Sequence, residues 1–318
     1  MSHVEHLQEL HGLPVFDFPL PGEARELPAA GTVAWRLAAD PYGDSSNEKF
    51  GDIWDRFLDS VDPAGVRAVV VGAWGEVCDD NSSVVVRRLV DARDRLTALR
   101  AVFVGDLEME ESEISWIEQS DVTPVLEAYP LLEEFGIRGG TGLRFPAVRH
   151  EGLRTLRFEA GGLPGEVVRG VVASGFPALE RLELWLGVSQ YGGDATVADL
   201  APLLAGGRFP ALRHLGLRNS EIQDEIAAAV ASAPVVAQLD SLDLSMGTLT
   251  ETGAAALLQG QPLTHLRRLD LSHHFLEEAV AERVRTAFGS AGTEVDVSGH
   301  QTPHTWGDEE WRYVAVSE

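Results

Sequence analysis

Apolar positions recur along most of this chain in one short unit, L-x-x-L-x-L. It reads Leu212-Arg-His-Leu215-Gly-Leu217, then Leu239-Asp-Ser-Leu242-Asp-Leu244, then Leu266-Arg-Arg-Leu269-Asp-Leu271. The alternation predicts a short strand with one buried face. Apolar residues at helical spacing follow each copy. Ile226, Val230 and Ala233 form one such stripe, Ala254, Leu257 and Leu258 another, and Val280, Val284 and Phe288 a third. Gly260 and Gly289 stand where those helices should stop.

The second leucine of the unit serves as a marker. Working outward from the clear copies, it falls at Val69, Val102, Phe135, Leu156, Leu182, Leu215, Leu242, Leu269 and Val295, spaced by 33, 33, 21, 26, 33, 27, 27 and 26 residues. The tripeptide Phe-Pro-Ala recurs with it, at Phe145, Phe176 and Phe209. A single strand–helix unit cannot bury both of its apolar faces. Stacked units share one continuous core, in which each buried leucine contributes roughly 1.5–3 kcal/mol. Strand–helix alternation also builds doubly wound α/β domains, but the regular period argues for a repeat array.

The C-terminal half resembles the ribonuclease-inhibitor type of leucine-rich repeat, most clearly over Leu239 to Leu258. More narrowly, the chain is similar to a family of bacterial cytoplasmic leucine-rich-repeat proteins. The segments that carry this likeness are Glu113-Ile-Ser-Trp-Ile117, Leu182-Glu-Leu-Trp-Leu-Gly187, Leu242-Asp-Leu-Ser245 and Arg312-Tyr-Val-Ala-Val-Ser-Glu318. The resemblance implies a fold and a compartment, and no activity. The expected fold class is therefore α/β: a leucine-rich-repeat solenoid with a curved parallel sheet on its concave side, helices on its convex side and an N-terminal cap. Many such repeats place Asn three residues after the last strand leucine. Here Ser220, Gly247 and His274 stand there, so the turns need other hydrogen-bond partners.

The expected boundaries are a capping region over 1–62, the array over 63–298 and a C-terminal cap or strand over 299–318. Val33, Trp35 and Leu37 alternate as a strand. Ser45-x-x-Glu48 has the form of a capping box before Phe50, Ile53, Trp54, Phe57 and Leu58, and Asp62-Pro63 ends that helix. Trp311, Tyr313 and Val316 would form a last strand.

Composition narrows the partners. The 318 residues carry 50 acidic and 25 basic side chains, a formal charge of −25. That balance disfavours nucleic acid and anionic membranes and favours a protein partner, a basic one above all. Cys78 is the one cysteine, so no intramolecular disulfide forms, and a small buried or half-buried hydrophobe is its default role. The N-terminal residues show neither a basic nor an apolar targeting stretch, and the expected location is the cytoplasm.

Candidate chemistry is sparse. Lys49, the only lysine, follows Glu48, which excludes a P-loop. Gly136 to Gly142 reads as a repeat turn. His150-Glu151 begins like H-E-x-x-H, but position 154 is Arg. His300 and His304 would meet His273 and His274 only if the C-terminal segment folds back. The acidic run Asp106, Glu108, Glu110, Glu111 and Glu113 reads as a solvated loop, with Ile114, Trp116 and Ile117 beside it in the core. No catalytic residue, cofactor or metal is expected.

Function is sought on the strand face. The residues between the buried strand positions are Arg138, Arg157, Glu159, Arg181, Glu183, Trp185, His214 and Arg218. Toward the C-terminus Asp243, Asp270 and Asp296 follow at one equivalent position, with Arg268 beside them. Arginines around an exposed tryptophan are the composition that interfaces favour. A column of aspartates costs stability unless a cation or a basic partner neutralises it. The expected function is a non-catalytic protein–protein interaction module that binds its partner on this face. One alternative is an inhibitor or immunity protein against a basic toxin or nuclease. Another is an enzyme subunit with a site near the N-terminal cap, around Asp40, Asp44, Asp79 and Asp80.

Overall fold

The computed structural model describes residues 4–40, 48–290, 292–307 and 309–318. Twelve strands form one sheet whose spatial order is the order of the chain. They are β1 (Glu9–Leu10), β2 (Leu13–Asp17), β3 (Ala34–Leu37), β4 (Ala68–Val71), β5 (Ala101–Val104), β6 (Glu134–Arg138), β7 (Thr155–Glu159), β8 (Arg181–Gly187), β9 (His214–Ser220), β10 (Ser241–Asp243), β11 (Arg268–Asp270) and β12 (Glu294–Asp296). From β2 onward every neighbour is parallel, and only the β1–β2 hairpin is antiparallel.

The nine marker residues are register partners in one unbroken line from Val69 to Val295. The line extends two strands further back, through Trp35 and Phe16. The sheet therefore begins inside the segment read as a cap.

Helices α1 (Phe50–Ser60), α2 (Ser83–Asp91), α3 (Thr123–Ala128), α4 (Gly165–Ala173), α5 (Val197–Leu204), α6 (Gln223–Val230), α7 (Glu251–Gln259) and α8 (Glu278–Gly289) connect the strands. Their apolar faces share one core with the marker face of the sheet. None of the helices among the described residues is long and apolar enough to cross a membrane. Helix α1 starts after Lys49 rather than at a capping box. Ser45 lies outside the described residues, and Glu48 instead pairs with Arg56 at 2.7 Å.

The Phe-Pro-Ala phenylalanines make an aromatic spine through this core. Phe176 lies 6.4 Å from Phe145 and stacks on Phe209 at 6.0 Å, and Phe145 meets Phe158 edge-on at 5.2 Å. Helix α4 reaches the spine through Gly170, where a Cβ would run into the carbonyl oxygen of Phe145.

A second repeat position organises the starts of the strands. Arg67, Arg100, Glu133, Arg154, Glu180, Arg213, Asp240 and Arg267 each stand two residues before a marker. The N–H of each member from Arg100 onward donates to the carbonyl of the member before it. From Arg100 the charges alternate in sign, and Arg154 pairs with both Glu133 and Glu180. These pairs are exposed and add little stability. The backbone ladder beneath them fixes the register.

Turns without the usual asparagine are closed by other side chains. His274 accepts from Leu276 N–H through Nδ1 and contacts Val297 O at 2.9 Å through Nε2. Gln223 donates to Leu217 O at 3.1 Å, and Ser220 Oγ accepts from Ile222 N–H. His150 closes an earlier turn in the same way, between Leu153 N–H and Tyr129 O. Its ring is structural.

The C-terminal segment departs from expectation. Trp311 belongs to a separate hairpin, β13 (His304–Trp306) with β14 (Glu309–Trp311), and Tyr313 to Val316 do not form a last strand. They run instead across the C-terminal ends of β11 to β7. Tyr313 O meets His273, Ala315 N–H donates to Met246 O, and Val316 is held by Asn219 on both sides. Asn219 Nδ2 donates to Val316 O at 2.6 Å and its Oδ1 accepts from Val316 N–H at 3.0 Å. Asn219 is buried and holds φ +54. Asn219→Ala leaves two buried backbone groups unpaired and puts alanine in a left-handed conformation. The expected cost is about 2–3 kcal/mol, with faster amide exchange over 313–318, read by denaturation and hydrogen exchange.

Candidate functional site

The face of the sheet opposite the helices carries the residues singled out from the sequence. Register arranges them in rows. One row runs Ala34, Ala68, Ala101, Glu134, Thr155, Arg181, His214, Ser241, Arg268, Glu294. The next runs Arg36, Val70, Phe103, Gly136, Arg157, Glu183, Gly216, Asp243, Asp270, Asp296.

The first strands of this face are covered. Leu10 packs with Ala34, Ala68, Val70, Ala101 and Phe103, flanked by Leu7, Leu13 and Val15. Three alanines in one row leave the depth this layer needs. A turn with positive φ at His11 and Gly12 folds it onto the sheet. Gly136 leaves room for the Phe103 ring, which a Cβ there would strike. The guanidinium groups of Arg138 and Arg157 both lie 5.5 Å from that ring's centroid.

Where the face is charged, its charges are paired within the molecule. Arg138 bonds Glu159 at 2.8 Å and Leu107 O at 2.7 Å, and lies 3.6 Å from Asp106. Arg157 reaches Glu159 at 3.2 Å and Glu134 at 3.7 Å. Glu183 sits among Arg181, His214 and Arg218. Burial alone would push its carboxyl up, but His214 and the guanidinium groups of Arg181, Arg157 and Arg218 hold it well below the usual carboxylate range.

The aspartate column is explained without a partner. Each aspartate accepts from the N–H two residues on: Asp243 from Ser245, Asp270 from Ser272 and Asp296 from Ser298. The Asp-x-Ser wording is thus a strand-ending turn. Arg218 reaches Asp243 at 3.1 Å, and Arg268 reaches Asp270 at 2.9 Å and Asp296 at 3.6 Å. The like charges are neutralised by these neighbouring arginines. Burial nevertheless raises the Asp243 carboxyl above its ordinary value, against the pull of Arg218 and Ser245.

Accessibility corrects the expected patch. Trp185 is 5% exposed, with Arg218 over its ring at 5.4 Å, so it is no exposed anchor. Arg138, Glu159, Glu183, Asp243 and Asp270 are buried as well. Arg181 and Arg268 remain exposed, and Arg157, His214 and Arg218 are half-buried. Strand alternation assigns a residue to a face but says nothing of what lies over it. Residues 4–13 cover the first strands, and residues 313–318 cross the strand ends.

His214 joins two of these residues. Its Nδ1 lies 2.7 Å from Ser241 Oγ and its Nε2 3.3 Å from Glu183 Oε1. The order Ser–His–Glu has the form of a nucleophile relay. However, Ser241 N–H, the nearest amide for an oxyanion, donates to Arg213 O. Three arginines already share Glu183. The contacts are those of a polar tie across three strands.

Other expectations change in place. Asp106 of the acidic run is fully buried rather than solvated, while Trp116 of the neighbouring apolar triplet is 58% exposed and only Ile114 and Ile117 enter the core. Cys78 is exposed. The C-terminal segment does fold back, pairing His274 with His300 and setting His304 against Tyr313. Asp40, Asp79 and Asp80 line one cleft of about 840 Å³ beside Lys49, Trp74 and Arg88. Asp44 lies outside the described residues.

No protein-family model matches the sequence, and no curated protein matches it. Among solved structures, the chain is similar to a crystal structure of a Bacteroides fragilis protein from a structural-genomics programme. The TM-score is 0.78 at 29% identity, over 85% of this chain and 76% of that one.

Proposed function

We propose that this chain is a leucine-rich-repeat solenoid of the ribonuclease-inhibitor-like kind, opened by the strands of residues 9–37 and closed by residues 299–318, which holds a protein partner on its strand face. The observation that carries this reading is the asymmetry of the sheet. One face is packed by helices, while the other, over β7 to β12, carries no helical layer among the described residues and presents accessible charged side chains. Rigid strands with fixed register suit recognition better than loops do. The contact surface is Arg181, His214 and Arg268 of one row with Arg157 and Arg218 of the adjoining rows, interleaved with the buried carboxylates of Glu159, Glu183, Asp243 and Asp270. It alternates in sign with its surroundings, so the complementary partner also carries mixed charge. The narrower reading as an inhibitor of a basic toxin draws no added support from the aspartate column, whose charges Arg218 and Arg268 already meet. The lone cysteine suits a cytoplasmic setting.

The test is affinity capture from native cell extract across a salt series. A partner held through the exposed row is expected to fall away between about 0.05 and 0.5 M salt, as screening shortens the reach of its charges. Arg181→Glu is expected to weaken capture about tenfold at low salt; because Arg181 also pairs with the buried Glu183, the thermal midpoint is measured alongside and capture is compared at a temperature where both proteins are folded. Retention of the partner by Arg181→Glu at full strength would remove this row from the interface.

A further inference from the structure

The segment that covers the start of the strand face is fastened at two places of different chemistry. Leu10 is its apolar anchor. The polar anchor lies at residues 5–7. Arg138 donates to Glu5 O at 3.1 Å, His6 N–H to Glu108 at 3.2 Å, and Leu7 N–H to Asp106 at 2.9 Å. The His6 ring stands among three carboxylates: Asp106 at 3.4 Å, Glu111 at 3.2 Å and Glu108 at 4.0 Å. Arg36 faces the same ring at 3.0 Å and is itself held by Asp106, Asp17 and Glu111.

We propose that residues 4–13 form a latch over the first half of the strand face, and that His6 is its pH-sensitive catch. The groups beneath the latch do not depend on it for their charge balance. Arg36 remains bonded to Asp106 at 2.9 Å, and Arg138 to Glu159 at 2.8 Å. Opening therefore leaves these ion pairs intact and bares the apolar patch of Ala34, Ala68, Val70, Ala101 and Phe103 that Leu10 covers, which extends the open strand face from β7 back to β3. This use of the latch rests on the strand-face reading above, whereas the latch itself is a property of the protein without its partner.

The direction of the pH response follows from His6. Its hydrogen bond to Asp106 raises the pKa, against burial and the nearby Arg36, and Glu111 adds to the rise. A charged imidazolium thus favours the closed segment. That contribution is complete below the unfolded value of about 6.5 and is lost as pH rises through the raised folded value. The latch is tightest in mild acid and loosens toward alkaline pH.

Hydrogen exchange on the full-length protein tests this, with rates corrected for the intrinsic pH dependence of amide exchange. Protection of the Leu7 and Leu10 amides is expected to fall severalfold between about pH 5.5 and pH 8.5, as the imidazolium that favours the closed segment is lost. His6→Gln is expected to give low protection that does not change with pH. His6→Lys keeps the cation and is expected to hold high protection at both values. A wild-type profile that changes less than twofold, or a His6→Gln protein that keeps the wild-type step, would overturn the catch. Because no partner is present in the experiment, its failure leaves the binding reading standing. A partner missing from the capture experiment likewise leaves the latch standing.

Discussion

Asp106→Ala is expected to destabilise the protein by about 3–5 kcal/mol, because it breaks a buried ion-pair network. Its carboxylate is fully buried. It accepts from Arg36 Nε at 2.9 Å and Leu7 N–H at 2.9 Å, with Arg138 at 3.6 Å. Removing it leaves two guanidinium groups close together with one counter-charge fewer, and leaves a backbone amide unpaired. Burial pushes this carboxyl up, but His6, Leu7 N–H, Arg138 and Arg36 together hold it below its ordinary value. A depressed carboxylate stabilises the fold above its unfolded pKa, about 3.9, and that contribution is lost as pH falls through the folded value. Denaturant titration of wild type and Asp106→Ala should therefore show a gap at pH 7 that narrows in strong acid. A gap under about 1 kcal/mol at pH 7 would mean that the network is slack. Asp106→Asn keeps an acceptor for Leu7 and is expected to lose less, about 1–3 kcal/mol.

Phe176→Ala is expected to cost about 3–5 kcal/mol by opening a cavity at the centre of the aromatic spine. Phe176 is the ring that touches both Phe145 and Phe209, and it is 1% exposed. Each Phe-Pro-Ala copy belongs to a different unit, so the loss falls on the stacking between units rather than within one. Phe209→Ala removes the last ring of the row and is expected to cost less than Phe176→Ala. The comparison is read as the difference in denaturation midpoint at constant slope. Equal losses for the two rings would show that the spine is a set of independent pockets.

Much of this architecture is legible in the sequence because repetition amplifies a weak local signal. Leu215, Leu242 and Leu269 fix the phase, and that phase extends correctly to Val69 and Phe135, where the leucines are gone. The strand at Trp35 is legible from its alternation, but its place in the array's line and the strand at Phe16 are not, since the segments there lack the L-x-x-L-x-L wording. The ladder at Arg100, Glu133 and Arg154 is visible only once the register is known. The sequence names the strand-face residues, but their exposure comes from segments remote along the chain. Asp106 illustrates this: it sits in an acidic run that reads as solvated, and it is buried by residues about a hundred positions earlier. His6 carries no local motif at all.

The strand face as the binding surface is tested most directly by opposed charge reversals on the two sides of the sheet. Arg181→Glu with Arg268→Glu alters the open face, and Arg283→Glu on α8 alters the helical side. All three side chains are exposed. In parallel affinity captures at low salt, the partner is predicted to be lost by the strand-face pair and retained by the helix-side variant. Retention by the strand-face pair together with loss in Arg283→Glu would contradict the account.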